Sequence, residues 1–252
     1  MTGTTGTSLA VVLAAGEGKR MKSSLPKVLH KLAGEPLLGH VLTALGNADV
    51  EAIAVVIGPN RPDVEVFVHE KTPRAMVAVQ HERRGTAHAV LAARDLLATW
   101  TSGEILVLFG DTPLIKPSTI ERIRDQLSDG SDIVVTGFYP ADSTGYGRLI
   151  AEGERLLAIR EQKDASPEEL EVKLCNGGIM GLRAEACLRL LDKIGDDNSQ
   201  GEYYLTDVVE IAATEGLLAT VVDVDELEIS GINTIEQLQT LEKIYLSEKE
   251  NG

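Results

Sequence analysis

The chain has 252 residues, of which 24 are basic and 39 acidic, giving a formal net charge of −15. This balance argues against a protein that coats nucleic acid, because neutralising phosphates requires a basic face. Its two cysteines, Cys175 and Cys187, form no C-x-x-C pair, so neither a disulfide framework nor a zinc site is indicated.

The N-terminal sequence MTGTTGTS has no basic segment followed by an apolar one, so we expect a frayed tail and not a signal peptide. No apolar run approaches the roughly 20 residues that a membrane helix needs. We therefore expect a soluble cytoplasmic protein with neither a membrane nor a nucleic acid as partner.

The first predicted element is a buried strand over residues 9–15, a short and wholly apolar run. It ends at Gly16 and Gly18, and residues 16–31 then contain five basic residues and one acidic residue. A strand that ends in a glycine-rich cationic loop presents backbone N–H groups and positive charge to a polyphosphate. We therefore expect this loop to hold a nucleoside triphosphate.

Apolar strands and helices alternate through the rest of the first half. Strands are predicted at 52–57, 75–79, 105–109 and 133–138, and helices within 28–47 (with Pro36 in the first turn) and at 62–70, 85–99 and 117–127. This alternation predicts an α/β fold with a Rossmann-like, doubly wound and mostly parallel sheet.

The second half has a different pattern, which predicts a smaller mixed-sheet lobe over the ends of the parallel strands. The predicted strands are 147–151, 156–161, 172–182 and 219–224, and the predicted helices are 184–194, 203–214 and 235–247. No Pro/Ser-rich linker separates the halves, so a single domain over residues 1–252 is the simpler account.

The glycine-rich loop does not match two well-known phosphate-binding patterns. A P-loop fails because Gly16 and Gly18 are too close and Lys19 is followed by Arg20. A dinucleotide fingerprint fails because its third glycine position holds Met21. What remains is A-A-G-x-G-x-R-M followed by L-P-K.

That pattern resembles the signature of the sugar-phosphate nucleotidyltransferases, the pyrophosphorylases that make nucleotide sugars. Seven further motifs follow in the order expected for the family: Gln80 with 85–89 (GTAHA), 109–114 (FGDTPL), 145–148 (GYGR), 161–164 (EQKD), Asn176, 200–207 (QGEYYLTD) and 231–233 (GIN). Together they resemble the uridylyltransferase half of the bacterial bifunctional N-acetylglucosamine-1-phosphate uridyltransferase/glucosamine-1-phosphate acetyltransferase, over residues 9–241.

The resemblance implies a nucleotide-diphospho-sugar transferase fold and a defined reaction. UMP would pass from UTP to N-acetylglucosamine 1-phosphate, giving UDP-N-acetylglucosamine and pyrophosphate for cell-wall and lipopolysaccharide precursors. Mg²⁺ is the implied cofactor. Residues 9–138 would form the nucleotide-binding half, 139–232 the sugar-binding half and 233–252 a C-terminal helix.

Two pairs of residues would carry the charge chemistry. Arg20 and Lys27 are the implied catalytic residues, because a guanidinium fork and an ammonium both neutralise phosphate oxygens; the alternative is a solvated basic loop. Asp111 and Asn233 are the implied Mg²⁺ ligands, since that ion prefers oxygen. Either could instead cap a helix, and Asn233 precedes a Thr-Ile-Glu sequence suited to an N-cap.

The remaining implied residues would contact the substrates. Gln80 can donate and accept, which reading the uracil edge requires. Glu161 alone could be an exposed strand charge, and Gly147 an ordinary turn. The full implied substrate-binding set is Leu13, Ala14, Ala15, Gly16, Lys27, Gln80, Gly85, Thr86, Phe109, Gly110, Asp111, Gly147, Glu161, Asn176 and Asn233.

The sequence departs from the family pattern at three positions: Lys19 stands for the usual Thr, Phe109 for Tyr and Gly177 for Thr. No hexapeptide repeat of the left-handed β-helix kind occurs, so no acetyltransferase domain is expected, and the chain is either a fragment or a stand-alone relative. The exact sugar and nucleotide stay open, so another sugar-1-phosphate nucleotidyltransferase is one alternative, and the oligomeric state is open too. Two further functions also stay open. They are a glycosyltransferase that uses the D-x-D of Asp223 and Asp225, and a non-catalytic nucleotide-sugar-binding relative.

Overall fold

The computed structural model describes residues 8–251, except for the side chains of Lys19 and of residues 248–251. Ser8 begins the first strand, and the rest of the expected N-terminal tail lies outside the described residues. Within residues 8–251, no helix combines the length and the apolar character that crossing a membrane requires.

Strands and helices alternate along most of the described chain. The strands are β1 (Ser8–Ala14), β2 (Lys31–Leu32), β3 (Glu35–Pro36), β4 (Ala52–Ile57), β5 (Met76–Val79), β6 (Glu104–Phe109), β7 (Ile133–Phe138), β8 (Arg148–Glu152), β9 (Arg155–Arg160), β10 (Cys175–Arg183) and β11 (Ala219–Asp223). The α-helices are α1 (Leu37–Asn47), α2 (Pro62–Lys71), α3 (Thr86–Leu91), α4 (Arg94–Thr99), α5 (Pro117–Ser128), α6 (Pro167–Leu170), α7 (Ala184–Leu191), α8 (Asp207–Thr214), α9 (Glu226–Ile229) and α10 (Ile235–Asn251).

The central sheet has the strand order β11-β7-β10-β6-β1-β4-β5. Strands β6, β1, β4 and β5 pair in parallel, as does β11 with β7. Strand β10 runs antiparallel between β6 and β7, and the β8–β9 hairpin joins the sheet through β10. The prediction of a mostly parallel sheet with a mixed region is confirmed.

Strand β1 lies in the middle of this sheet and is buried along its whole length. Its alternate residues face opposite helix layers. Leu9, Val11 and Leu13 belong to one apolar cluster with residues of α3, α7 and α8, and Ala10, Val12 and Ala14 to another with residues of α1, α2 and α5. This two-sided burial explains why the strand reads as a continuous apolar run.

The predicted helix over 85–99 is instead two short helices, α3 and α4. The amides of Ala92 and Ala93 bond three residues back, to Ala89 at 3.1 Å and Val90 at 3.0 Å, so the chain tightens into a 3₁₀-like turn. The amides of Leu96 and Leu97 then both bond to the Ala93 carbonyl and start α4. Alanine-rich sequence carries no signal for such a break.

The predicted helix over 203–214 begins only at Asp207, because the preceding backbone bonds elsewhere. The Tyr203 amide donates to the Arg84 carbonyl at 2.7 Å, and the Ala87 amide donates to the Tyr203 carbonyl at 3.0 Å. Boundary shifts elsewhere are smaller: β10 begins at Cys175, α7 ends at Leu191, and Pro36 precedes α1.

Helix α10 begins at Ile235, as predicted. Its Leu238 and Leu241 share a third apolar cluster with Met21, Leu32, Leu37 and Ile232. Because Met21 follows Arg20 and Ile232 precedes Asn233, this cluster holds the glycine-rich loop and the Asn233 segment against the same helix.

Candidate active site

Three segments converge where parallel strands of the sheet end. Strand β1 leads into residues 13–16, β5 into Gln80, and β6 into residues 109–111. From β1 the chain winds outward through β4 to β5 and then returns to β6 on the other side of β1. The carboxyl edge at such a change of winding direction is where open α/β sheets bind ligands.

A cavity of about 400 Å³ lies at this edge, within the size range of small-molecule sites. Ten of the sequence-predicted residues line it: Leu13, Ala14, Ala15, Gly16, Lys27, Gln80, Gly85, Thr86, Phe109 and Asp111. Val28, Arg83, Ala89 and Glu202 complete the lining.

Lys27 links the two residues predicted to bind metal. Its ammonium nitrogen forms an ion pair with Asp111 Oδ2 and donates a hydrogen bond to Asn233 Oδ1 at 3.1 Å. The Ile232 amide also donates to the Asp111 carbonyl at 3.1 Å, which joins the two segments through their backbones. A carboxylate oxygen and an amide oxygen therefore converge on one cation, although Asn233 does not line the cavity itself.

The position of Lys27 depends on the glycine-rich loop. Gly18 has φ +61°, and a Cβ atom there would lie 2.8 Å from Lys27 Cβ. Only glycine satisfies both conditions without displacing the lysine. The second glycine of the loop is therefore required for the loop to pack against the segment that carries Lys27.

The other end of the cavity is built around Gln80, which is 4% exposed. Its Nε2 donates to the Gly85 carbonyl at 3.3 Å and lies 3.3 Å from His88 Nδ1. Thr86 Oγ1 accepts a hydrogen bond from the Leu205 amide at 3.0 Å. The Gln80 amide side chain is thus held beside a backbone turn, where it can read a planar base edge.

The three residues predicted to hold the sugar do not line the cavity. The Asn176 amide donates to the Gly147 carbonyl at 2.8 Å, and Asn176 Oδ1 accepts from the Gly178 amide at 2.9 Å. A Cβ at Gly178 would lie 3.1 Å from the Phe109 ring. Gly147 and Asn176 therefore form a connected layer behind Phe109.

Glu161, the third of these residues, lies in a carboxylate-rich neighbourhood. Its Oε1 accepts a hydrogen bond from Thr206 Oγ1 at 3.1 Å, and burial raises the pKa of its carboxyl, with the nearby Asp164 charge adding to the effect. Burial also raises the pKa of Asp207 to about 6, with Glu210 contributing. Neither carboxylate lines the cavity, so their raised pKa values show burial but do not by themselves identify a binding site.

Two further predicted residues, Arg20 and Gly110, do not line the cavity. Arg20 is exposed. The Gly110 amide donates to the Leu13 carbonyl at 2.9 Å, which extends the pairing of β6 with β1 into the site.

One departure from the family pattern has a structural reason. A Cβ atom at Gly177 would lie 2.6 Å from Thr136 Oγ1, and Thr136 is fully buried in β7. The threonine usual at position 177 would therefore require the neighbouring strand to move. The Thr136 side chain occupies the space that a side chain at position 177 would need.

Sequence reasoning missed Arg83. Its Nε donates to the Ala15 carbonyl at 3.0 Å and its Nη1 to Glu17 Oε1 at 2.7 Å, so it ties the Gln80 segment to the glycine-rich loop. Because Arg83 is next to Arg84 in the sequence, it resembles a solvated surface residue. Its contacts with Ala15 and Glu17 are visible only in the folded structure. Glu202, also in the lining, was passed over within the 200–207 motif.

Comparison with known proteins gives a consistent result. A family model described as a MobA-like NTP transferase domain matches residues 10–165. The Bifunctional protein GlmU of Azorhizobium caulinodans is 52% identical over 236 residues, which are 94% of this chain and 52% of that protein. The protein of the same name from Rhodopseudomonas palustris strain BisA53 is 53% identical over 241 residues, 96% of this chain and 53% of that protein. The chain spans about half the length of the curated relatives it matches.

Solved structures share the fold at lower identity. UDP-glucose pyrophosphorylase complexed with UDP-glucose has a TM-score of 0.76 and 17% identity, covering 96% of this chain and 99% of that chain. The inositol-1-phosphate CTP transferase from T. maritima has a TM-score of 0.71 and 18% identity, covering 94% and 97%. The fold predicted from sequence is confirmed. Because the family model matches well over half of the described residues, the chain belongs to the MobA-like NTP transferase domain family.

Proposed function

We propose that the chain transfers UMP from UTP to N-acetylglucosamine 1-phosphate, releasing pyrophosphate. The observation that carries this proposal is that Lys27 contacts both Asp111 and Asn233. Lys27 and Asp111 line the same cavity as Gln80 and Gly85. A nucleotide needs both a charged site for its phosphates and a polar planar site for its base. The relatives named Bifunctional protein GlmU support the choice of reaction.

The proposed step is an in-line displacement at phosphorus. A phosphate oxygen of the sugar phosphate attacks the α-phosphorus of UTP, and the bond from that phosphorus to the bridging oxygen of pyrophosphate breaks. A phosphate monoester is already ionised at neutral pH, so no general base is needed. Such transfers depend on positioning and charge neutralisation more than on covalent catalysis.

Lys27 and Arg20 are the proposed catalytic cations. Lys27 is largely buried at the cavity, where its charge is less screened by water, and it would stabilise negative charge that builds up on the transferring group. Arg20 precedes Met21, whose side chain is packed against α10, so the backbone of the loop is anchored while the guanidinium remains exposed. From there it would reach the leaving pyrophosphate.

The side chains of Asp111 and Asn233 suit Mg²⁺. The described residues contain no group of three or more His, Cys, Asp or Glu side chains that could hold a metal. Two protein oxygens are nevertheless typical for Mg²⁺, which keeps several waters and binds substrate phosphates as further ligands. The same two oxygens contact the Lys27 ammonium, which supports the view that they lie close enough to bind one cation. Mg²⁺ would take the place of that ammonium between them, which would leave Lys27 for the substrate phosphates. Bound Mg²⁺ would neutralise charge on the phosphates.

The rest of the predicted set would recognise the two organic groups. Gln80, Gly85 and Thr86 would read uracil, with residues 13–16 and 109–110 against the nucleotide. Gly147, Glu161 and Asn176 would hold the sugar. This assigns nucleotide binding to residues 9–138 and sugar binding to 139–232, in a cytoplasmic enzyme with small-molecule substrates and UDP-N-acetylglucosamine as a cell-wall and lipopolysaccharide precursor.

The glycosyltransferase alternative is disfavoured by the position of its D-x-D pair. Asp223 ends β11 at the edge of the sheet, and its carbonyl accepts a hydrogen bond from Arg122 at 2.9 Å. Asp225 is paired with Lys116 at 3.5 Å. Neither aspartate lines the cavity that contains Lys27 and Asp111.

A substrate panel tests the proposal. The protein is incubated with Mg²⁺, UTP or dTTP, and a series of sugar 1-phosphates, and pyrophosphate release is measured. We expect turnover to be fastest with UTP and N-acetylglucosamine 1-phosphate. UDP release from a nucleotide sugar would favour the glycosyltransferase, and tight UDP-sugar binding without pyrophosphate release would favour a non-catalytic binding protein.

A further inference from the structure

The two proposed metal ligands belong to segments that are far apart in sequence. Asp111 lies in the connection from β6 to α5, and Asn233 in the connection from β11 to α10. The distance between their oxygens therefore depends on what holds these two connections together. The hydrogen bond that the Ile232 amide donates to the Asp111 carbonyl is one such contact.

A second contact joins the same connections further from the ligands. Lys116, which precedes α5, pairs with Glu228 of α9 at 3.0 Å. Thr119 Oγ1 of α5 donates to the other carboxylate oxygen of Glu228 at 2.6 Å. Lys116 follows Asp111 by five residues, and Glu228 precedes Asn233 by five. The Lys116–Glu228 ion pair therefore joins the two connections at the same sequence separation from each proposed ligand.

Glu228 is an unusual residue for a surface helix. It is 4% exposed, whereas its neighbours Glu226 and Leu227 are exposed. A buried carboxylate destabilises a protein unless it is paired and hydrogen-bonded, and here both of its oxygens have partners. The hydrogen bond to Glu228 also raises the pKa of Lys116.

We propose that Glu228, clasped by Lys116 and Thr119, is a positioning residue that sets the spacing of Asp111 and Asn233 for a divalent cation. The proposal rests on the function proposed above, since it assigns the metal to those two oxygens. Glu228 does not line the cavity and would touch neither substrate nor metal. Its role would be to keep α9, and with it the chain up to Asn233, fixed against α5.

The test variant is Glu228→Gln, which keeps the size of the side chain and its ability to accept from Thr119 but removes the charge that pairs with Lys116. We expect hydrogen exchange of the Ile232 amide to become about tenfold faster, as for loss of one hydrogen bond to a charged group. Mn²⁺ binding, followed by electron paramagnetic resonance with a non-hydrolysable UTP analogue present, should weaken several-fold. The Mg²⁺ concentration for half-maximal activity should rise, with the KM for UTP at saturating Mg²⁺ little changed.

Glu226→Gln is the matched control, because it makes the same change on the same helix at an exposed position. It should leave amide exchange, Mn²⁺ binding and the Mg²⁺ requirement unchanged. If Glu228→Gln does not fold, Lys116→Met tests the pair from its exposed side, and Lys116→Arg should restore wild-type behaviour.

The proposed role of Glu228 would be overturned if hydrogen exchange of the Ile232 amide were unchanged in Glu228→Gln. If that variant does not fold, unchanged exchange in Lys116→Met would overturn it. Faster exchange with unchanged Mn²⁺ affinity would overturn its link to the ligand pair. Amide exchange and Mn²⁺ affinity are both measured without turnover. They therefore still test the role of Glu228 if the wild-type protein catalyses a different reaction from the one proposed.

Discussion

The backbone of Gly85 runs directly against that of Tyr203: a Cβ atom on Gly85 would lie 2.4 Å from the Tyr203 carbonyl oxygen. Gly85 has φ +114°, a backbone conformation that residues other than glycine rarely adopt. The contact joins the Gln80 segment to the 200–207 motif, and Arg84 lies over the Tyr203 ring at 4.8 Å. Two motifs more than a hundred residues apart thereby form one wall of the cavity.

Gly85→Ala should therefore disrupt this wall. We expect a loss of about 2–4 kcal/mol in the free energy of unfolding and an increase in the KM for UTP, because the backbone must move away from Tyr203. Urea denaturation and steady-state kinetics measure both effects. Gly130→Ala is the matched control, since Gly130 has φ +121° but open space within 4 Å of where its Cβ atom would lie. If the two substitutions had equal effects, the positive φ angle alone would explain them, and the contact with Tyr203 would not.

Lys27→Ala should lower the rate of pyrophosphate release on the order of 100-fold, by analogy with the loss of one preorganised charge-stabilising donor. It removes the cation that joins Asp111 and Asn233. Lys31→Ala removes an equal charge from an exposed position nearby and should leave the rate close to that of the wild type. A Lys27→Ala enzyme with normal turnover would remove Lys27 from the catalytic set.

Arg20→Ala tests whether an exposed side chain outside the cavity lining takes part in the reaction. We expect a fall in kcat on the order of 100-fold with an unchanged free energy of unfolding, because the exposed guanidinium contributes little to folding. Single-turnover kinetics and urea denaturation separate the two quantities. Lys22→Gln, in the same basic loop, is the control. Near-normal turnover of Arg20→Ala would refute the assignment.

Asp207→Asn should stabilise the protein at neutral pH and not at acidic pH. Burial raises the pKa of Asp207 from 3.8 to about 6, so the folded state favours the protonated form. The resulting stabilisation is complete below about pH 4 and is lost as the pH rises through about 6. Because Asp207 is only half-buried, we expect a gain of about 1 kcal/mol at pH 7.5 and none at pH 4.

Urea denaturation at the two pH values measures this difference. Asp95→Asn is the control, since Asp95 is also an aspartate in the first turn of a helix but is exposed. A gain from Asp207→Asn that is the same at pH 4 and pH 7.5 would show that ionisation is not its cause.

The sequence predicted the central strands well because burial on both faces leaves an uninterrupted apolar run. Strands β4 and β7 have the predicted bounds, and Asp111 follows β6 at the sheet edge where ligand-binding groups were expected. Helix ends were less predictable, because they depend on contacts distant in sequence. Helix α8, for example, starts late since the backbone at Tyr203 is bonded to Arg84 and Ala87.

The same limit applies to the site. Motif order brought Lys27, Asp111 and Asn233 into one hypothesis, but local pattern alone could not show that one ammonium contacts both oxygens. Arg83 and Glu228 carried no recognisable signal, because an arginine beside another arginine and a glutamate in an acidic run both resemble solvated surface. Their roles depend on partners in other segments, Glu17 and Ala15 for the first, Lys116 and Thr119 for the second.

The proposed uridylyl transfer is tested by measuring pyrophosphate release by the wild-type protein with UTP, N-acetylglucosamine 1-phosphate and Mg²⁺. We expect stoichiometric formation of pyrophosphate and UDP-N-acetylglucosamine, dependent on both substrates and abolished by a chelator. Absence of pyrophosphate under these conditions, with the protein folded and UTP bound, would contradict it.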